Sequence, residues 1–216
     1  MIFFKNQRKI NSNGLTLVEL LVVISIFLII SSVTIFNYGE FRSTVSLQNL
    51  TDDIALSVRK AQSFAIGARG VGSNFNNSYG VNFSTKNPSA GELFGSSKSF
   101  LMFSSASKMY IKPVVNAVCG DLSNACVELF GISTSDVIKE IWINDVKKID
   151  TDATLDVVFT RPDPRASFCY RSNSDSSSCD SDTISSIKIV ISNGLTLDKE
   201  KTRNISIQNT GQISMQ

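Results

Sequence analysis

Apolar residues follow a different rhythm in each of three stretches of the chain. Residues 20–39, LLVVISIFLIISSVTIFNYG, carry no charge and are apolar on every side of any helix they could form. Between Thr44 and Ile66 the apolar positions narrow to Leu47, Leu50, Ile54, Val58, Ala61 and Ala65. Steps of three and four mark one face of a helix. Asp52, Asp53, Arg59, Lys60 and Gln62 fall largely off that stripe. Beyond Gly70 the period drops to two, the spacing of strands with one face buried.

Twenty helical residues at the standard rise cover about 30 Å, the thickness of a bilayer's hydrocarbon core. No proline or glycine interrupts 44–66, and Gly67 and Gly70 supply the stop. The pattern therefore predicts one helix over 15–66, membrane-spanning in about 15–38 and amphipathic after that, with Gly39 weakening its middle. A secretory signal would need a shorter apolar region and a small-residue cleavage site, which SSVTIFNYGEF does not offer. A plain single-pass anchor with an extracytoplasmic receptor domain fits the hydropathy, but it leaves Glu19, at the edge of the span, without a reason.

Period-two segments predict strands at 79–84, 99–104, 108–114, 137–144, 154–161, 184–192, 204–209 and 212–215. In the segment around Ile187, Ile189 and Ile191 these isoleucines alternate with Ser186, Lys188 and Val190. QNTGQI reads as a hairpin turn around Gly211. The expected fold is α+β: a long N-terminal helix packed on an antiparallel sheet or sandwich that occupies 67–216. GARGVGSN (67–74) follows a helix and lacks the lysine of a phosphate-binding loop, so it reads as a linker.

Charge changes little in this picture. Of the 21 basic residues, Lys5, Arg8 and Lys9 precede the apolar run; without them 18 basic residues face 19 acidic ones. The bulk of the chain is thus no polycation, and no global field favours nucleic acid. The basic flank does matter for topology, because the positive-inside rule keeps it in the cytoplasm while the rest crosses. The chain has no histidine, which excludes histidine acid–base chemistry and histidine metal ligation. No catalytic constellation and no cofactor motif is found, and an enzyme is not expected.

Cys119, Cys126, Cys169 and Cys179 form an even set beyond the span, which suggests disulfides in an oxidising space. Spacing favours Cys119–Cys126 and Cys169–Cys179, each clipping a polar loop. Free thiols and a four-thiolate zinc site are the alternatives, although neither spacing is that of a zinc knuckle. Asp145, Asp150, Asp152 and Asp156 crowd one stretch, but the EF-hand pattern is absent and Lys147 and Lys148 argue for a solvated, mixed-charge loop over an oxygen-lined calcium site. Arg161, Arg165 and Arg171, with Phe168 and Tyr170 between them, and Lys199, Lys201 and Arg203 are two basic spots. Aromatics among arginines can stack on single-stranded bases. Asp163, Asp175, Asp180, Asp198 and Glu200 dilute both spots, so ordinary exposed turns compete with DNA contact as the reading.

KINSNG followed by LTLVELLVVISIF resembles the N-terminus of type IV pilins and of type II secretion pseudopilins. Gly14, Leu15, Thr16, Leu17, Val18, Glu19 and Leu20 carry the resemblance, with leucine at Leu15 where phenylalanine is commoner. It implies cleavage between Gly14 and Leu15 by a prepilin peptidase, release of 1–14 as a leader, and N-methylation of Leu15. It implies insertion in the cytoplasmic (inner) membrane, then assembly with other pilin subunits into a pilus or pseudopilus. Glu19 would pair with the new amine of a neighbouring subunit. LDVVFTRPDP and RNISIQNTGQIS are similar to the GspH/FimT-like minor pilins, some of which are thought to take up DNA. Asp163, Pro164 and Arg165 stand where that group usually has a turn glycine.

Overall fold

The computed structural model describes residues 14, 16–67, 70, 77–88, 95–106, 119, 126–148, 153–172, 183–195 and 200–216, without the side chains of 36 and 37. Among the described residues there is one helix, α1, which runs from Leu17 to Ile66. The chain divides into two compact units, Met1–Arg42 and Ser43–Gln216, so the boundary falls inside α1.

In the first unit every described side chain of α1 is exposed except half-buried Ser31. Ser25 and Thr34 satisfy their hydroxyls locally, donating to the carbonyls of Leu21 (2.8 Å) and Ile30 (2.9 Å). That bonding lets a hydroxyl sit in an apolar helix without an unpaired donor. The helix is continuous through Gly39, where a Cβ would meet nothing, so the expected weak point does not interrupt it.

In the second unit the predicted stripe is the buried one: Leu47, Leu50, Ile54, Val58, Ala61 and Ala65 are all buried. Asp52, Asp53 and Arg59 point to solvent. Gly67 ends the helix, its N–H donating to Ser63 O at 2.8 Å.

The strands are β1 (Ser78–Ser84), β2 (Ser99–Ser105), β3 (Cys126–Gly131), β4 (Val137–Ile143), β5 (Val146–Lys148), β6 (Thr154–Thr160), β7 (Asp163–Arg171), β8 (Ser186–Ser192), β9 (Thr202–Gln208) and β10 (Ile213–Met215). They form two five-stranded sheets, ordered β3-β2-β1-β6-β7 and β10-β9-β8-β4-β5. Every pairing is antiparallel. Ile54 and Val58 of the helix, Val81, Phe83 and Val157 of the first sheet, and Ile141, Ile189 and Ile205 of the second share one core. Fully burying each such side chain contributes about 1.5–3 kcal/mol before chain entropy is deducted. The chain is thus an α+β protein, with its helix packed on antiparallel sheets.

Three strands escape the period-two reading. β7 was expected to be turn and basic spot, because Pro164 and two arginines break its pattern. It is an edge strand, where proline costs no ladder bond, and it buries Ala166 and Phe168. β3 is a second edge strand, and β5 has three residues, too few for a period. The strand expected at 108–114 lies outside the described residues.

The inner strands of the first sheet, β1, β2 and β6, are buried on both faces. Leu101, Phe103, Cys126 and Val158 form a second, smaller cluster on the side away from the main core, with Cys119 and Leu129 against it. Gly80 makes room for that cluster: a Cβ there would lie 2.6 Å from the Phe103 ring. Gly211, at φ 85°, turns the β9–β10 hairpin, as its sequence predicts.

Candidate functional site

The N-terminal turn of α1 is built from the residues of the sequence motif. Thr16 is the N-cap. Its carbonyl accepts the Leu20 N–H at 3.1 Å, and its Oγ1 accepts the Glu19 N–H at 3.2 Å. A side-chain oxygen in that place satisfies one of the four unpaired N–H groups at a helix start. Glu19 sits three residues after the cap, in the first turn, where a carboxylate meets the positive end of the helix dipole. This cap is the functional detail the sequence reading missed. The signal was present, since Thr-x-x-Glu before an apolar run is a helix-start pattern.

Glu19 is exposed, as are the leucines, valines and isoleucines that follow it. Within the described residues this helix is the one long and apolar enough to cross a membrane, and its most apolar window is not buried inside the protein. Gly14 is exposed too, and a Cβ there would touch no described residue. No packing against the described residues therefore calls for glycine at that position. Leu15 lies outside the described residues.

The prokaryotic N-terminal methylation motif model matches residues 9–35. That motif is of the kind found at the N-terminus of type IV pilins and pseudopilins, and it covers this stretch of the chain alone. The motif supports a pilin-like subunit processed at its N-terminus, and the apolar helix fits anchorage in the inner membrane. The match ends inside the exposed half of α1 and does not reach the β sheets. No curated protein and no solved structure among those compared matches the chain.

The remaining candidate residues are dispersed over the second unit. Cys119 and Cys126 are joined in a disulfide with Cα atoms 4.8 Å apart, which removes both thiolates from any zinc site. Cys169 is disulfide-bonded as well, and Cys179 lies outside the described residues. Arg161, Arg165 and Arg171 form no shared basic patch. Arg165 and Arg171 stand at opposite ends of β7, and each is held by a carboxylate. Arg165 pairs with Asp163 at 2.6 Å, a bond that holds the exposed Asp163 carboxyl below its usual range. Arg171 pairs with the fully buried Asp156 at 2.7 Å, and the Asn82 amide donates to the same carboxylate at 2.5 Å. Arg161 lies in the β6–β7 turn. Of the second basic spot, Lys201 donates to Thr44 Oγ1 at 3.0 Å, Arg203 is half-buried on β9, and Lys199 lies outside the described residues.

The aspartates of the proposed cation loop are equally scattered. Asp156 lies in the first sheet, while Asp145 is 91 % exposed in the β4–β5 turn of the second. Asp150 and Asp152 lie outside the described residues. Among the described residues no three His, Cys, Asp or Glu side chains gather as a metal site.

Polar bonds also fasten the start of the amphipathic half-helix. Ser43 Oγ accepts from Asn193 Nδ2 at 3.0 Å, Thr44 accepts from Lys201, and Ser46 donates to the buried Asp136. Lys98 caps this cluster, donating to the carbonyls of Thr134 (2.8 Å) and Asp136 (2.9 Å). Burial lowers the Lys98 pKa more than the neighbouring Asp136 charge raises it.

Proposed function

We propose that the protein is a structural subunit of a type IV pilus or type II secretion pseudopilus. A prepilin peptidase cuts between Gly14 and Leu15 and the new terminus at Leu15 is methylated. The chain sits in the inner membrane with its basic leader in the cytoplasm and its β sheets outside, and it is then drawn into a filament through α1. An isolated carboxylate in a bilayer costs about 2.5–3.5 kcal/mol at the centre of a span and less near the edge. Glu19 offsets that cost by pairing with the amine that cleavage frees on an adjacent subunit. The observation that carries this reading is the methylation motif lying on an apolar helix whose surface, Glu19 included, is exposed. Gly14 supports it from another side. Glycine has no side chain to obstruct the close approach of a protease to the backbone.

Intact-mass measurement of the full chain recovered from its own membranes tests this. The expected mass lacks residues 1–14 and carries one added methyl. A chain that keeps those residues in a cell with an active prepilin peptidase is an uncleaved membrane protein, and the reading fails.

A further inference from the structure

The two sheets differ on the faces turned away from the main core. On the first sheet that face carries the cluster of Leu101, Phe103 and Val158. On the second it is polar. Ile187, Ile189, Ile191, Ile205 and Ile207 of β8 and β9 all point into the core. The residues between them therefore face the other way. Lys188, Ser206 and Ser214 are direct cross-strand partners on β8, β9 and β10, and Ser186 pairs with Gln208 two residues along. Together with Asp145 these residues line a hollow of about 250 Å³.

The hollow is unlike the rest of its sheet. The side chains of Ser186, Ser206, Gln208 and Ser214 make no hydrogen bond with a described residue. On β4 and β5 polar groups are spent on one another: Glu140 accepts from Trp142 Nε1 at 3.0 Å and from Lys147 at 2.5 Å. Asn144 and Asp145, at φ 49° and 62°, form the two-residue β4–β5 turn. Asn144 is clamped to the start of β8, where its Oδ1 accepts the N–H groups of Ser185 (2.8 Å) and Ser186 (3.1 Å). A turn with both φ values positive favours glycine in its second place. Here a carboxylate takes that place, 3.9 Å from Lys188 Nζ. Lys188 in turn lies over the Trp142 ring, 4.3 Å from its centroid.

Donor and acceptor types select the ligand. A lysine ammonium only donates, a carboxylate only accepts, and serine and glutamine do both. A phosphate or sulfate only accepts, and it would meet the Asp145 charge. A metal cation would meet Lys188. An apolar ligand would strand the serine hydroxyls and the Gln208 amide. A neutral ring bearing several hydroxyls satisfies every group, because each hydroxyl both donates and accepts. The volume is below the range of about 300–1,000 Å³ usual for ligand pockets, which limits the occupant to one such ring.

We propose that this hollow on β8, β9 and β10 is a saccharide-binding site, which takes one neutral sugar residue, free or at the end of a glycan, through its hydroxyls. The site lies within the second unit and is independent of the filament role.

Fluorescence titration of the full chain tests it, in micelles of lauryldimethylamine oxide, a detergent without a sugar headgroup. The probes are glucose, galactose, mannose and N-acetylglucosamine, with sodium phosphate as the contrast. Trp142 is the chain's single tryptophan, and the Lys188 ammonium over its ring ties its emission to the hollow. At least one sugar should give a saturable change in that emission. Retention of the same protein on immobilised glycans ending in these sugars separates the two sources. Saturation by the free sugar assigns a soluble ligand, and retention without it assigns the end of a chain.

Ser206→Ala should weaken binding about fivefold, and Ser206→Leu, which fills the hollow, should abolish it. If neither variant accumulates, Gln208→Ala should show the same loss of about fivefold. Silence in both assays, a response to phosphate but to no sugar, or undiminished binding by these variants would overturn the site. The filament role fails separately, on the intact mass.

Discussion

Residues 17–42 and 43–66 belong to one helix, yet they solve opposite problems. The first stretch is apolar all round and buries nothing within the subunit, while the second is amphipathic and buries one stripe completely. Backbone geometry is the same in both. What differs is the surroundings each is written for. A uniformly apolar surface is stable only in lipid or against other apolar helices, and a striped one needs its own sheet. Helix propensity therefore says little about either half, and the distribution of polar side chains says most.

The contrast can be broken most severely at Glu19. Glu19→Leu should abolish filament assembly and leave the thermal unfolding of the detergent-solubilised full chain unchanged, since the Glu19 side chain is exposed in the folded chain. Electron microscopy of cell surfaces and a melting curve read the two outcomes. Ile54→Ala should do the reverse. It removes a fully buried side chain from the shared core and should cost about 2–5 kcal/mol of stability. Ile24→Ala, on the exposed half, should leave that same melting curve in place.

Next in size is Arg171→Ala, which removes the guanidinium paired with the buried Asp156 carboxylate and should cost about 3 kcal/mol. A loss of DNA binding with no loss of stability would instead return Arg171 to a nucleic-acid role.

The smallest effect is the response to acid. Lys139 and Ser192 hold the Glu200 carboxyl below its ordinary range, through hydrogen bonds to the carboxylate. Burial pushes Glu140 upward, but hydrogen bonds from Lys147 and Trp142 outweigh it and leave that pKa lowered too. A carboxyl with a depressed folded pKa binds fewer protons folded than unfolded. Its stabilisation is complete above the ordinary carboxylate pKa and disappears as pH falls through the folded value. Lys139→Met should therefore flatten the decline of melting temperature on acidification below about pH 4.5, the region where such carboxyls titrate.

How much of this was legible in the sequence depended on whether a residue's reason is local. The stripe from Leu47 to Ala65 could be read because its period repeats along one element. The same holds for Ile187, Ile189 and Ile191, and for the turn at Gly211. β7 was obscured because Pro164, Arg165 and Arg171 signal a turn locally, while the strand depends on pairing with β6. Asp156 looked like one of four aspartates in a polar loop. Its reason is Asn82, 74 residues earlier, and Arg171, 15 residues later, and no pattern in the chain announces either. Thr16 was read as part of a motif when it was also a helix cap.

The fastening at Ser43, Thr44 and Ser46 has a mechanical consequence. Tension arriving along the backbone from Arg42 meets short-ranged, directional bonds before it reaches the greasy interface behind them. Directional bonds resist small displacements and then let go abruptly, whereas apolar contacts yield by sliding. The first turn of the docked segment is thus the part whose position on the sheets is most sharply set.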